Sequence, residues 1–395
     1  MGEWKSVQVG ELGKIITGKT PKTSISDNYG GHIPFLTPSD DMSVKYVRKT
    51  AKTLTEKGFS EVKNAVLPAK SVCVSCIGSD LGKVVITTRS TITNQQINSI
   101  VVDEERFDIS FVYYAMRILG KKLNFISKTS TAVPIVNKSS FSSYEIKCPS
   151  LKEQEQIAVV LSALDEKIAI NRTINDNLEQ QAQSYFQELF VDNADPEWAI
   201  GTISDLGTVV GGSTPSKAKP EYYTESGIAW ITPKDLSINK SKFVSHGEND
   251  ITELGLKNSS AAIMPEGTVL FSSRAPIGYI AIAAGEVTTN QGFKSVVPKP
   301  EIGTPFVYFF LKNTLPVIEG MASGSTFKEV SGSTMKNAPA VIPDAETLAK
   351  FSDFCAPIFK QQRTLEEQNQ SLAKLRDSLL PKLMSGEIDV SAVQL

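Results

Sequence analysis

The stretch LKEQEQIAVVLSALDEKIAINRTINDNLEQQAQSYFQELF, residues 151–190, decides how the rest of the chain is read. It holds no glycine and no proline. Ile157, Leu161, Leu164, Ile168, Leu178, Tyr185 and Leu189 recur at the spacing of a helix with one buried seam. Asn171, Asn175 and Ala182 complete that seam, so its middle is polar. A continuous helix here would measure roughly 60 Å at ~1.5 Å per residue, too long for the core of a small domain. It reads as a strut.

On either side of the strut the chain is written twice. Glu3-Trp4 returns as Glu197-Trp198, and Gly18-x-Thr20-Pro21 returns as Gly212-x-Thr214-Pro215, both at a shift of 194. Phe35-Leu36-Thr37-Pro38-x-Asp40 answers Trp230-Ile231-Thr232-Pro233-x-Asp235. Thr93-Asn94-Gln95 answers Thr289-Asn290-Gln291, Phe111-Val112-Tyr113 answers Phe306-Val307-Tyr308, and Ser130-Thr131 answers Ser325-Thr326. Matches in one order over so long a period make each copy a whole domain plus a tail, not a solenoid repeat. The second tail, Ala345 to Met384, repeats the seam with Phe351, Phe354, Ile358, Leu365, Leu372, Leu379 and Leu383. Pro357 and Pro381 are expected to kink or restart that helix, and Gly386 to stop it.

The expected segments are a block at 1–150, a helix at 151–192, a second block at 193–343, and a second helix with a tail at 344–395. Inside the blocks, Ser71–Cys76, Lys83–Thr87, Thr268–Ser272 and Tyr279–Ala283 read as strands, and Phe107–Leu119 and Pro305–Thr314 as helices. The fold class is therefore α/β (α+β), with a pseudo-two-fold internal repeat. If the two long helices pack along their seams they are antiparallel. Asn171 and Asn175 then either fix the register, as buried Asn does in coiled coils, or are simply exposed.

Composition narrows the function classes. A charged fraction of 21% and a hydrophobic fraction of 41% describe a globular chain, and no apolar run approaches the ~20 residues that span a bilayer. Four cysteines point to a reducing compartment, taken as the cytoplasm. Cys73-x-x-Cys76 sits in an alternating strand pattern, and with two histidines in the chain no metal site is expected. Residues 1–150 carry 20 Lys and Arg against 13 acids, whereas residues 151–196 carry 3 against 9. The first block can lie on phosphates; the strut is too acidic to do so.

One motif is a decoy. Gly13-Lys14-Ile15-Ile16-Thr17-Gly18-Lys19-Thr20 satisfies the phosphate-loop pattern, which would make the chain a nucleotide-binding enzyme. The mechanism needs a helix to begin at Gly-Lys-Thr, and Pro21 follows at once, so this is the alternative reading. No catalytic constellation recurs in both copies, and no catalytic residue is expected.

The copies share Gly, Pro, Trp and Asp positions, which look like scaffold. They differ at Lys19/Ser213, Gly78/Arg274, Lys83/Tyr279, Gln96/Gly292 and Asn98/Lys294, positions expected in loops. One frame with different polar loops is what two recognition modules for different targets should show. Residue types that contact phosphates and base edges single out candidates in the first block: Lys19, Thr20, Lys22, Ser39, Lys83, Asn94, Gln95, Gln96 and Thr131. In the second block they are Ser216, Lys217, Lys219, Lys234, Arg274, Asn290, Gln291, Lys294 and Lys328.

The ending Leu375-Arg376-Asp377-Ser378-Leu379-Leu380-Pro381-Lys382-Leu383-Met384-Ser385-Gly386-Glu387-Ile388 resembles that of specificity (S) subunits of type I restriction-modification enzymes. So do Pro149-x-Leu151-x-Glu153-Gln154-x-x-Ile157 and the paired Gly-x-Thr-Pro and Thr-Pro-x-Asp loops. The resemblance implies that each block is a target recognition domain reading one half of a bipartite, asymmetric DNA sequence. The helices would set the half-site spacing and dock two methyltransferase subunits, and through them restriction subunits. The chain itself would be non-catalytic and bind no cofactor; S-adenosylmethionine, ATP and Mg would sit on the partners. A type II-like or orphan modification system is the nearest variant of that reading.

Overall fold

The computed structural model describes residues 4–78, 80–128, 135–324 and 328–391. They form two compact units, Met1–Ile170 with Asn369–Leu395, and Asn171–Gln368. This division cuts across the four segments expected above. Each unit holds one globular block and half of each long helix, because the half-helices bury their apolar faces in the block's own core.

In the first unit, strands Gly13–Thr17, Ile97–Val102, Val72–Ser75, Val84–Thr87 and Tyr46–Val47 lie in that order in one sheet, antiparallel except for the last pair. A smaller sheet orders Lys52–Leu54, Tyr29–Leu36 and Ile92–Thr93. Both faces of Val72–Ser75 are covered, so the strand is buried throughout and apolar up to Ser75. Val72 and Val74 face a core with Phe111 and Met116 of helix Ile109–Lys128, while Cys73 faces a second core with Leu36 and Met42. Cys76 joins the first core. The two thiols thus occupy different cores, and burial pushes Cys73 up to about 12.

The second unit repeats this plan with one strand added. Gly207–Gly211, Lys294–Pro298, Val269–Ser273, Ile277–Ala283 and Phe243–Val244 form the five-stranded sheet, again with only the last pair parallel. Tyr223–Thr224, Asn249–Ile251, Ile228–Ile231 and Thr288–Thr289 form the smaller one. Its extra strand is a local change, since Tyr29 in the first unit belongs to a longer strand whose register shifts before Ile33. A helix, Pro233–Ile238, replaces the turn at Pro38–Asp40.

Each block closes on itself. Lys5–Gln8 pairs with Glu145–Cys148, and Ala199–Thr202 with Pro339–Ile342, so the two ends of a block meet where a long helix begins. Trp4 Nε1 donates to Glu153 of the first long helix (3.2 Å), and Trp198 Nε1 to Asp344, the residue before the second (3.0 Å). The recurrence of Trp is a recurrence of this anchor.

The long helices are Leu151–Gln187, followed by a π-turn at Glu188–Asp192, and Ala345–Met384. Within each unit their halves run antiparallel: Asp165 meets Arg376 in the first, and Asn171 meets Gln368 and Tyr185 meets Phe354 in the second. Along the first seam Ile157, Leu161, Ile168, Asn171 and Ala182 are buried, and Leu164, Asn175, Leu178, Tyr185 and Leu189 half-buried. Phe186, off the expected seam, is also buried. In the second seam Phe351, Ile358, Leu365 and Leu383 are buried, Leu372 and Leu379 half-buried, and Phe354 exposed on one edge.

The polar mid-seam is a contact surface, not solvent. Asn171 Nδ2 donates to Gln368 Oε1 (3.4 Å), Asn175 Nδ2 to the Gln362 carbonyl (3.2 Å), and Gln362 Nε2 returns to the Asn175 carbonyl (3.1 Å). These bonds hold one register, as buried amides do in coiled coils.

The expected restart at the prolines does not occur. Helix Ala345–Met384 runs unbroken through Pro357 and Pro381. Both rings are exposed while Ile358, Phe359, Leu380 and Leu383 beside them are buried, so packing outweighs one missing hydrogen bond each. The stop at Gly386 holds: φ is +75°, and Glu387 N–H reaches the Lys382 carbonyl (2.9 Å), closing a Schellman turn against Trp4. Helix Thr304–Gly320 likewise outruns its expected end at Thr314, passing exposed Pro316 because Ile318 is buried beyond it.

Candidate nucleic-acid interface

Three loops far apart in sequence converge in each block. A Cβ on Gly18 would lie 2.2 Å from the Asn94 carbonyl oxygen, and one on Gly212 would lie 2.1 Å from that of Asn290. Only glycine permits so close a seat. The loop it admits then bonds across: Thr20 Oγ1 donates to Gln95 Oε1 (2.5 Å), and Thr214 Oγ1 donates to Gln291 Oε1. Asn94 N–H meets the Leu36 carbonyl and Asn290 N–H that of Ile231, which brings in the Thr-Pro-x-Asp loop. Asp40 and Asp235 each hold their own loop by accepting from the N–H and hydroxyl of Thr37 or Thr232, at 2.6–2.9 Å. The paired motifs are therefore one assembly made twice.

The remaining candidates divide by environment. Asn94 and Asn290 are turn residues whose Oδ1 accepts from the N–H of Gln96 or Gly292, and Asn94 Nδ2 also holds Gln96 Oε1. Ser39 shares a hydrogen bond with Thr37 (2.7 Å). Lys83 pairs with Asp80 (2.7 Å), Lys219 with Glu221 (3.7 Å) and Lys234 with Glu248 (2.5 Å). Glu329 takes both Arg274 (3.4 Å) and Lys294 (3.6 Å), joining a strand end and a loop that sequence separation hides. Lys19, Lys22, Lys217 and Lys328 are exposed, as is Ser216, and these four lysines make no ion pair among the described residues. Thr131, with its repeat partners Ser130, Ser325 and Thr326, lies outside the described residues.

Two expectations need correction. Asn98 and Lys294 are strand residues, and Tyr279 lies in strand Ile277–Ala283, so not every difference between copies is a loop difference. Asn98 is buried, accepting from Thr17 and donating to the Val136 carbonyl, which makes it core structure. The nucleotide reading of Gly13–Thr20 also falls. Gly13–Thr17 is a strand paired along its length with Ile97–Val102, and no helix starts at Thr20 to present amides to a phosphate. Among the described residues no cluster of His, Cys, Asp and Glu could hold a metal ion, and no helix is long and apolar enough to cross a membrane.

What sequence reading missed lies beneath the blocks. Lys45 and Lys242 are both buried where a block meets its half-helices, and each faces a carboxylate or hydroxyl of the first long helix. Each precedes a two-residue strand, and nothing local marks either lysine as buried.

The fold and its loops define a protein of two like binding modules, each seated on paired long helices. The comparisons with known proteins name the class. The chain belongs to the type I restriction modification DNA specificity domain family, whose model matches residues 1–180 and again 196–374. It is 37% identical over 195 residues to the type I restriction enzyme MjaIX specificity subunit of Methanocaldococcus jannaschii, covering 49% of this chain and 45% of that relative. It is 22% identical to the HindI specificity subunit of Haemophilus influenzae, across 98% of this chain and 100% of that one. Among solved structures, the S subunit of a type I restriction-modification system from M. genitalium shares the fold, with a TM-score of 0.55, 18% identity, and coverage of 97% of this chain and 96% of that one.

Proposed function

We propose that this chain is the DNA specificity subunit of a type I restriction-modification complex, each block reading one half of a bipartite, asymmetric target. The observation that carries this is the repeated loop assembly. One glycine-seated Thr–Gln frame occurs in both blocks, with Lys19 and Gln96 in one where Ser213 and Gly292 stand in the other. A shared frame with unshared polar neighbours suits two readings of different sequence on a common backbone. The long helices set the half-site spacing and dock two methyltransferase subunits, with restriction subunits reached through those. The chain is non-catalytic; S-adenosylmethionine, ATP and Mg belong to the partners, and the work is done in the cytoplasm.

The test is a genome-wide map of adenine methylation in the host with the gene present and deleted. One bipartite motif should disappear on deletion. An unchanged map would overturn the reading.

A further inference from the structure

Each block is fastened to its half-helices around a carboxylate supplied by the first long helix. In the first unit that group is Asp165, whose side chain is 8% exposed. It accepts from Arg376 of the second long helix (2.6 Å) and from the Tyr114 hydroxyl (2.6 Å), with Arg117 at 4.0 Å and Asp377 beyond Arg117. Lys45 donates beside it to Ser162 (2.6 Å) and Ser110 (2.9 Å) over the Tyr114 ring. In the second unit the group is Glu179. It accepts from Lys242 (2.7 Å), Lys312 (2.5 Å) and the Tyr308 hydroxyl (3.2 Å). Lys242 also donates to Gln362 (2.9 Å), lies over the Phe359 ring, and has its backbone N–H held by Glu366 (2.8 Å).

The block sides of the two fastenings follow one plan with a shift. Lys45 and Lys242 precede equivalent strands. Arg117 and Lys312 are equivalent positions of equivalent helices, whereas the tyrosine that meets Asp165, Tyr114, lies one residue beyond the equivalent of Tyr308. The helix side is not repeated: at the shift of 194, Asp165 falls on Phe359 and Glu179 on Ala373. Stability alone does not require this, since apolar residues of similar volume would seat a block as well or better. What a buried charge adds is intolerance of displacement. A slide or rotation that separates Lys242 from Glu179 leaves an ammonium buried without its partner. The chemistry is already poised: burial pushes Lys45 and Lys242 down to about 8, while Glu179, despite burial, is drawn to about 2 by its two ammonium groups.

We infer that the Asp165 and Glu179 clusters are positioning sites that fix the axial and angular seat of each block, and that they thereby determine how strictly the chain enforces one spacer length between half-sites. This rests on the proposed reading of the chain as a DNA specificity subunit. The test replaces the gene in its host with Glu179→Gln, and separately with Asp165→Asn, and maps adenine methylation by half-site and by spacer. Both variants should keep both half-sites and raise methylation at spacers one base pair longer or shorter by about tenfold, the ratio that 1.4 kcal/mol represents. If the Glu179→Gln chain does not accumulate, Lys312→Gln, which leaves the Lys242–Glu179 pair intact, should show the same relaxation at about threefold. Strict spacing in variants present at the unaltered level would overturn the inference, as would a changed half-site. Loss of the whole proposal is distinguishable, because the unaltered chain would then direct no bipartite motif at all.

Discussion

The block from Lys5 to Cys148 and the block from Ala199 to Ile342 share a strand order, a glycine-seated loop and a Thr–Gln bond, and they differ in charge. In the first, Lys19 and Lys22 stand exposed beside that bond. In the second, Ser213 replaces Lys19, and Arg274 and Lys294 are both engaged by Glu329. The difference shows what duplication preserved. Residues that shape the backbone were kept, while polar neighbours of the frame diverged, Lys19 giving way to Ser213 and Gly78 to an Arg274 that Glu329 balances.

The comparison breaks most forcefully at the seats. Glu179→Leu leaves buried Lys242 without its carboxylate and should destabilise the second unit by about 3–5 kcal/mol, read from urea unfolding. The acid limb tests the same group. Its folded value of about 2 lies below its ordinary 4.5, so the unfolded chain takes up the proton first as pH falls. The stabilisation is therefore complete above pH 4.5 and lost as pH falls from there toward about 2. Glu179→Gln should abolish that limb; an unchanged acid titration would remove Glu179 as its source.

Next come the glycines. Gly18→Ala and Gly212→Ala each drive a Cβ into a backbone carbonyl, and should cost a similar 1–3 kcal/mol, roughly, in thermal unfolding. Unequal costs would mean that the two loop seats are not equivalent. A smaller effect separates the charges. Glu329→Gln should release Arg274 and Lys294 and tighten DNA binding at low salt, whereas Lys19→Ala should weaken it in the first block and lower the salt slope by about one. Salt titration of DNA binding by the complex checks both, and equal slopes for wild type and Lys19→Ala would place that lysine off the DNA.

Much of this architecture was legible because it is periodic. The seam from Ile157 to Leu189 follows from helical spacing, and the second copy follows from a shift of 194. The loop assembly was half legible: Thr20 and Gln95 were each marked by recurrence, but their bond spans 75 residues and needs the fold. The buried lysines were not legible, since burial of one ammonium is decided by a helix more than a hundred residues away. Pro357 and Pro381 misled for the same reason, their local cost being outweighed by Phe359 and Leu380 packed into cores the sequence does not display. Glu329, which quiets Arg274, lies 55 residues from it.

The claim that these are two independent readers on one ruler is tested most directly by exchanging a single block. Residues 5–148, whose ends meet in one strand pair, can be replaced by the corresponding block of a relative, and adenine methylation mapped in the host. The expected result is a motif in which one half-site is new while the other half-site and the spacer are unchanged. A motif altered in both halves, or in neither, would contradict the division of labour between blocks and helices.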